Sequence, residues 1–317
     1  MTTSKIVGFA KASARRIAAA LALAAASAAA SFAKECPEKI DWSHARKVAP
    51  GVEYTSLNLD EPRLMACHLV RVDLKTPGLR VTGTGRAPEW GRPMPDYDKA
   101  QMPIDTVRQT TRDFLEEHRR NGTNMVFAVN TAAWRPWEKP HSHKYGHFLN
   151  FLVSNGKIVS ETQERCEMLV VFTNNEARIT ADLPDGLVPS VSVAHPAYDA
   201  GQILRDGGAP DFSLSKGFTP SIAPRTALGL SSDGRWLYAL VVDGRQKGYS
   251  LGAEARDLSR ILKAAGAFNA INVDGGGSST IVLWDGAKRE SFIPNRHNAR
   301  RDKYRPVAAN LGVYFEN

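Results

Sequence analysis

The sequence predicts an α+β fold built mainly of antiparallel, mixed sheet with a few helices. Three observations carry this expectation. Short apolar runs are bounded by turn residues, hairpin signals stand at Asn155-Gly156 and at Ser232-Asp233-Gly234-Arg235, and only two segments place apolar residues at helical spacing. No repeat or heptad pattern is present.

The elements follow in order. Leu64 to Leu74 (LMACHLVRVDL) alternates in part and predicts a strand, continued from Leu79 to Thr82 after the Thr76-Pro77-Gly78 turn. Gly85 to Pro103 is rich in Gly and Pro and reads as a loop. Ile104, Val107, Thr111, Phe114, Leu115 and His118 then recur at helical spacing, and Asn121-Gly122 stops the helix.

Met125 to Val129 (MVFAV) reads as a buried strand, Phe151 to Ser160 as a hairpin about Asn155-Gly156, and Met168 to Thr173 as another buried strand. Residues 182 to 224, rich in Pro, Gly and Asp, mark a long loop or inserted subdomain. Ala227 to Leu230 and Trp236 to Val242 flank a turn as a second hairpin. A helix over Glu254 to Ala265 places Leu258, Ile261 and Leu262 on one face, and Val307 to Tyr314 is the last strand.

The first 33 residues differ from the rest. Lys5, Lys11, Arg15 and Arg16 precede an alanine-rich apolar run that ends in Ser31-Phe32-Ala33, the pattern of a cleaved secretory signal rather than a stable membrane span. The expected organisation is therefore a signal peptide over 1–33, N-terminal strands, loop and helix over 34–124 packed on the main domain, and a domain over 125–317. A secreted or periplasmic location follows from the signal.

Of 317 residues, 43% are hydrophobic, enough for a sizeable core. The formal charge is +8, but the leader holds four basic residues and no acid, leaving +4. That balance favours an anionic small ligand or glycan over nucleic acid, for which no helix or aromatic module carries a basic stripe. The cluster Arg296, Arg300, Arg301, Lys303 and Arg305 reads either as a solvated loop or as cations around an acidic substrate. Three cysteines, Cys36, Cys67 and Cys166, permit at most one disulfide within the chain.

The chemistry is expected at Asn272 to Thr280 (NVDGGGSST), where a carboxylate is followed by three glycines and two hydroxyls. Glycines let backbone amides approach a ligand, and successive amides can form an anion-binding concavity beside Asp274. Phosphate-loop and dinucleotide patterns are absent, and GxSxG fails because Thr280 stands where glycine is required. The apolar, β-branched run after the glycines predicts strand, turn, strand. The plain alternative is a glycine hairpin without chemistry. No cofactor motif is present, and for His141, His143 and His147 (HSHKYGH) a metal site is set below the plainer reading of loop histidines or a single donor to substrate.

The order Pro224-Arg225-Thr226-Ala227, Val242-Asp243-Gly244-Arg245, Gly248-Tyr249-Ser250, helix, Asn272 to Ser279, Arg305-Pro306-Val307 resembles the phosphodiester glycosidase family, over roughly residues 125 to 315. The resemblance implies an exported glycoside hydrolase that cleaves a sugar-1-phosphodiester at the anomeric C–O bond. Bacterial members of the family are linked to exopolysaccharide. The alternatives are a glycosidase or accessory protein for an acidic exopolysaccharide, or a non-catalytic glycan-binding protein.

Carried onto this sequence, the motifs make Asp274, Asp243 and Arg225 the catalytic candidates. Gly275, Gly276, Gly277, Ser278, Ser279, Asn130, Thr226, Arg245, Tyr249, Arg305 and His147 become substrate contacts. One departure stands out. Many members place Asn-Gly-Gly-Phe-Phe where this chain has Asn130-Thr131-Ala132-Ala133-Trp134, so Trp134 and Trp137 offer larger faces for sugar stacking or for ordinary packing.

In such a substrate the leaving group is a phosphate monoester with a second pKa near ~6, so it needs little protonation. Demand shifts to cations and amides that hold the phosphate, met by Arg225 and the glycine amides, and to a carboxylate that supports the oxocarbenium-like carbon or activates water. Asp274 and Asp243, both at strand ends, are candidates for base, nucleophile or electrostatic support.

Overall fold

The computed structural model describes residues 35–95, 102–136, 143–148, 150–161, 167–183, 189–194, 201–209, 221–296 and 304–316. The expected leader, Trp137, His141 and Cys166 lie outside the described residues.

Two sheets face one another. The larger has seven strands in the order Arg46–Ala49, Val52–Leu59, Met65–Asp73, Trp236–Val242, Arg225–Leu230, Asn269–Asn272, Gln202–Leu204. Opposite it lies a five-stranded sheet ordered Glu290–Phe292, Ile281–Asp285, Asn124–Asn130, Asn310–Phe315, Leu79–Gly83. Another five-stranded sheet holds the hairpin Leu152–Ser154 and Lys157–Ser160 with strands Val191–Ala194, Met168–Val171 and Ala177–Thr180. Thr106–Val107, Tyr145–Phe148 and Trp134–Arg135 form a short fourth sheet. Every pairing between these named strands is antiparallel.

Strand alternation assigns the faces. Val70, Val72, Leu228 and Ile271 of the large sheet meet Val81, Phe127, Val129, Leu283 and Leu311 of the facing sheet in one core, which Leu169 and Val193 extend. Truncating a fully buried ring here, as in Phe127→Ala, costs about 3–5 kcal/mol. Cys67, Leu69, Tyr238 and Leu240 point outward and are covered by Leu258, Ile261 and Leu262 of the helix Ala255–Ala265. Phe114 and Leu115 of the helix Thr111–Arg120 cover Met125, Ala128 and Val282 on the other side. The layers therefore run helix, sheet, sheet, helix, with sheet dominant.

The first helix is shorter than its periodicity predicts. Ile104 and Val107 lie before it: Thr106–Val107 pairs with Tyr145–Phe148, and Thr110 caps the helix by accepting from the Asp113 amide at 3.0 Å. Apolar spacing alone cannot separate a short edge strand from the turn of helix that follows it. In the stretch left unassigned between 182 and 224, Val191–Ala194 and Gln202–Leu204 are strands. Asn155 and Gly156 both have positive φ, as the tight hairpin turn requires. Cys36 and Cys67 are free thiols. Among the described residues no helix is long and apolar enough to cross a membrane.

Candidate active site at the junction of the two sheets

Asn130 ends a strand of the five-stranded sheet, and Asp274 follows a strand of the large sheet. The Asn130 side chain joins them. Its amide donates to the Asp274 carbonyl at 2.6 Å, while its oxygen accepts from the Thr226 hydroxyl at 2.9 Å and the Thr280 amide at 3.0 Å. The Asp274 amide in turn donates to the Thr131 carbonyl at 2.8 Å, and the Val273 amide to the Thr226 carbonyl at 3.0 Å. Both ends of the turn are thus tied to strands before the glycines begin.

The glycine run forms a short 3₁₀ turn, Gly276–Ser278, before the strand Ile281–Asp285. Not all its amides face a ligand: Gly276 donates to the Pro224 carbonyl at 2.7 Å, and Ser278 and Ser279 donate back to Gly275 and Gly276. Guanidinium groups occupy the approach instead. A Cβ on Gly277 would lie 2.6 Å from Nη2 of Arg305, and one on Gly276 would lie 3.5 Å from both terminal nitrogens of Arg245. Gly276 has φ +63°, a conformation that favours glycine in its own right.

Charge is concentrated here. Burial lowers the pKa of Arg305, Asp274 opposes that shift, and the like charge of Arg245 adds to it. Arg108, stacked 4.0 Å over the Trp134 ring, is brought down to about 10 by burial and then by Arg305. Asp274 is 7% exposed, and the buried hydroxyls of Thr131 and Ser279 make no hydrogen bond within the described protein. Arg245 carries φ 58°, a strained setting of the kind found at working sites.

Asp243 lies beyond the strand Trp236–Val242 and is 1% exposed. Its carboxylate accepts from Asn295 at 3.1 Å, from the Tyr249 hydroxyl at 2.9 Å and from the Arg296 amide at 2.9 Å, with His68 Nε2 at 3.2 Å. Three of these donors converge on Oδ2, and Asn295 alone reaches Oδ1. The Tyr54 hydroxyl lies 2.9 Å from His68 Nδ1, so Tyr54 donating inward and Nε2–H donating to Asp243 is the self-consistent assignment. Burial pushes the Tyr54 hydroxyl up to about 12 and raises that of Tyr249 further. Asn295 also donates to the Ser279 carbonyl at 3.1 Å, which links this network to the glycine turn.

Other expected residues are placed differently. Arg225 packs its side-chain stem beside Gly275, but its guanidinium donates to the Ser221 carbonyl at 2.8 Å, the Ser221 hydroxyl at 3.0 Å and the Ala253 carbonyl at 3.3 Å. His147 pairs with Asp105 at 2.8 Å on the face of its strand shared with Tyr145, whereas Gly146 and Phe148 face Ala308 and Trp134. It does not join Asp274. Trp134 is 1% exposed and packed among Phe148, Leu152 and Ala308, so packing holds this ring. Among the described residues no group of three or more His, Cys, Asp or Glu side chains is placed to hold a metal ion.

Sequence reasoning did not single out His68, Tyr54, Asn295 or Arg108. Only His68 left a mark, as a lone polar ring on the inward face of an apolar strand.

Comparison with known proteins bears on both fold and family. The chain superposes on the catalytic domain of zebrafish N-acetylglucosamine-1-phosphodiester alpha-N-acetylglucosaminidase, auto-inhibited by its pro-peptide, with a TM-score of 0.58, 18% identity and 86% of each chain covered. A Burkholderia pseudomallei protein described as exported matches with a TM-score of 0.51 and 14% identity, over 80% of this chain and 74% of that one. At such identities these likenesses establish a shared fold. No curated protein matches by sequence. A profile of the phosphodiester glycosidase family matches residues 122–314, which span Asn130, Asp243, the glycine turn and Arg305. The chain therefore belongs to the phosphodiester glycosidase family.

Proposed function

We propose that this protein hydrolyses a sugar-1-phosphodiester at the anomeric C–O bond, releasing free sugar and a phosphate monoester. One observation supports this above the rest: a nearly buried carboxylate, Asp274, in a turn whose glycines let two guanidinium groups, Arg305 and Arg245, approach closely. Two cations around one carboxylate favour a substrate that brings its own negative charge.

In this reading Arg305 and Arg245 hold the phosphate, and hold it more tightly as the C–O bond breaks and charge moves onto the leaving oxygen. Asp274 faces the anomeric carbon, which gains positive charge in the same step. Water supplies the hydroxyl of the released sugar, and its proton leaves with the products. The buried hydroxyls of Thr131 and Ser279 meet sugar hydroxyls, since buried polar groups without partners are costly.

Asp243 has a different part. Almost fully buried and held by donors on both oxygens, it positions Asn295, Tyr249 and the Arg296 backbone rather than attacking. Arg225, committed to carbonyls, braces the Pro224 side of the turn. Export through the 1–33 leader places the enzyme outside the cytoplasm, in keeping with the exported Burkholderia protein of like fold.

The test is incubation of the protein, and of Asp274→Asn, with an N-acetylglucosamine-1-phosphodiester, following sugar and phosphate monoester together. Release of both by wild type alone is expected. Equal release by a cooperatively folded Asp274→Asn, or none by wild type, would sink the assignment.

A further inference from the structure

The five-stranded sheet carries a second cationic surface away from the glycine turn. Helix Thr111–Arg120 and the strands Ile281–Asp285 and Glu290–Phe292 border an open groove of about 630 Å³. Arg112, Arg119, Arg120 and Arg289 line it, with two carboxylates, Glu116 and Glu290. The groove adjoins the Asn124 end of the strand that closes at Asn130, and that strand's length sets it about 20 Å from Asp274.

The arginines are not explained by ion pairing. None of the four has a carboxylate within ion-pair distance among the described residues, and Glu290 is taken by Lys288 instead. The helix macrodipole accounts for Arg119 and Arg120 in its last turn, but not for Arg112 in its first or Arg289 on the neighbouring turn. Arg119 is fixed in place, donating to Asn124 at 3.0 Å and the Met125 carbonyl at 2.7 Å while stacking 3.6 Å over the Trp284 ring. The Arg112 Nε is buried without a hydrogen-bond partner. Four like charges gathered at a preorganised groove repel one another unless an anion enters.

We propose that this groove is a second glycan-binding site, which takes an anionic oligosaccharide independently of the glycine turn. Arg112 and Arg289 meet the oxyanions, and the Trp284 ring offers an apolar edge. Glu116 Oε2 and Glu290 Oε2, the oxygens left over by the Ser291 hydroxyl and Lys288, accept hydrogen bonds from sugar hydroxyls. That mixture separates the ligand from a nucleic acid strand, whose phosphates satisfy the arginines but leave the carboxylates facing like charge. Such a site would hold a long substrate on the protein between turnovers.

The experiment is calorimetric titration at low salt with hexagalacturonate, maltohexaose and a thymidine oligomer of matched charge. It is run in an Arg305→Ala background so that the glycine turn does not contribute. Binding of hexagalacturonate alone is expected, weakened about tenfold by adding Arg112→Glu with Arg289→Glu, which corresponds to about 1.4 kcal/mol. Three results each overturn the proposal: no binding of hexagalacturonate, binding unchanged by the double substitution, or equal binding of the thymidine oligomer.

Discussion

The side-chain amide of Asn130 donates to the backbone carbonyl of Asp274 at 2.6 Å, so a strand of one sheet fixes the turn that follows a strand of the other. The same side chain accepts from Thr226 and Thr280, and it is fully buried. Its partners are two backbone groups and one hydroxyl, each costly to leave unmade.

Asn130→Ala should therefore lose about 3 kcal/mol of stability, read by urea denaturation, and most of the activity besides. Asn130→Asp should be at least as damaging, because it sets a carboxylate oxygen against the Asp274 carbonyl. A loss below ~1 kcal/mol in both variants would show that the junction is held elsewhere.

Gly277→Ala tests how closely Arg305 must approach. Its Cβ would meet the guanidinium at 2.6 Å, yet Gly277 does not lie in the left-handed region, so the backbone tolerates alanine. The expected result is a KM for phosphodiester raised about tenfold, with stability changed by less than about 1 kcal/mol. An unchanged KM would remove Arg305 from phosphate contact.

His68 acts through Asp243. Replacing it with leucine should lower kcat by roughly 10²-fold with little change in KM, since small misplacements of a reacting group cost about that much. Tyr54→Phe, which removes only the hydroxyl 2.9 Å from His68, should cost less. Equal losses in kcat and stability for both variants would mark the network as structural alone.

Arg235 grips Asp73 with two hydrogen bonds, 3.0 Å and 2.6 Å, and these hold the Asp73 carboxyl below its ordinary value of 3.8. A folded-state pKa lower than the unfolded one gives stability that is present above about pH 4 and lost as pH falls through the folded value. Arg235→Gln should melt earlier than wild type at pH 7, and the two melting curves should converge once pH has fallen below the folded value of Asp73. Persistence of the gap once Asp73 is protonated in both states would show that the loss comes from packing against Trp236.

What the sequence makes legible is what lies close together in it. The glycine turn, the Asn155-Gly156 hairpin and the amphipathic helix Ala255–Ala265 are local patterns, and each needs only neighbouring residues to be recognised. The Asp243 network is not local. His68 stands 175 residues from the carboxylate it meets, and its place as a polar ring on the inward face of an apolar strand does not say which group it meets. The direction of Arg225 was hidden for a related reason: motif spacing gives a residue's place along a strand, whereas the carbonyls of Ser221 and Ala253 decide where its guanidinium goes. Ile104 and Val107 match helical spacing although Val107 lies in the edge strand Thr106–Val107 and Ile104 in the irregular chain before it.

The Asp274 amide, bonded to the Thr131 carbonyl across the two sheets, has a consequence for folding. Neither sheet alone contains a site, so a half-folded chain with one sheet formed is chemically inert. The competent constellation comes into being only when the sandwich closes. That amide should exchange with deuterium at the rate of global opening rather than of local fraying. Activity and cooperative unfolding are then two readings of one event.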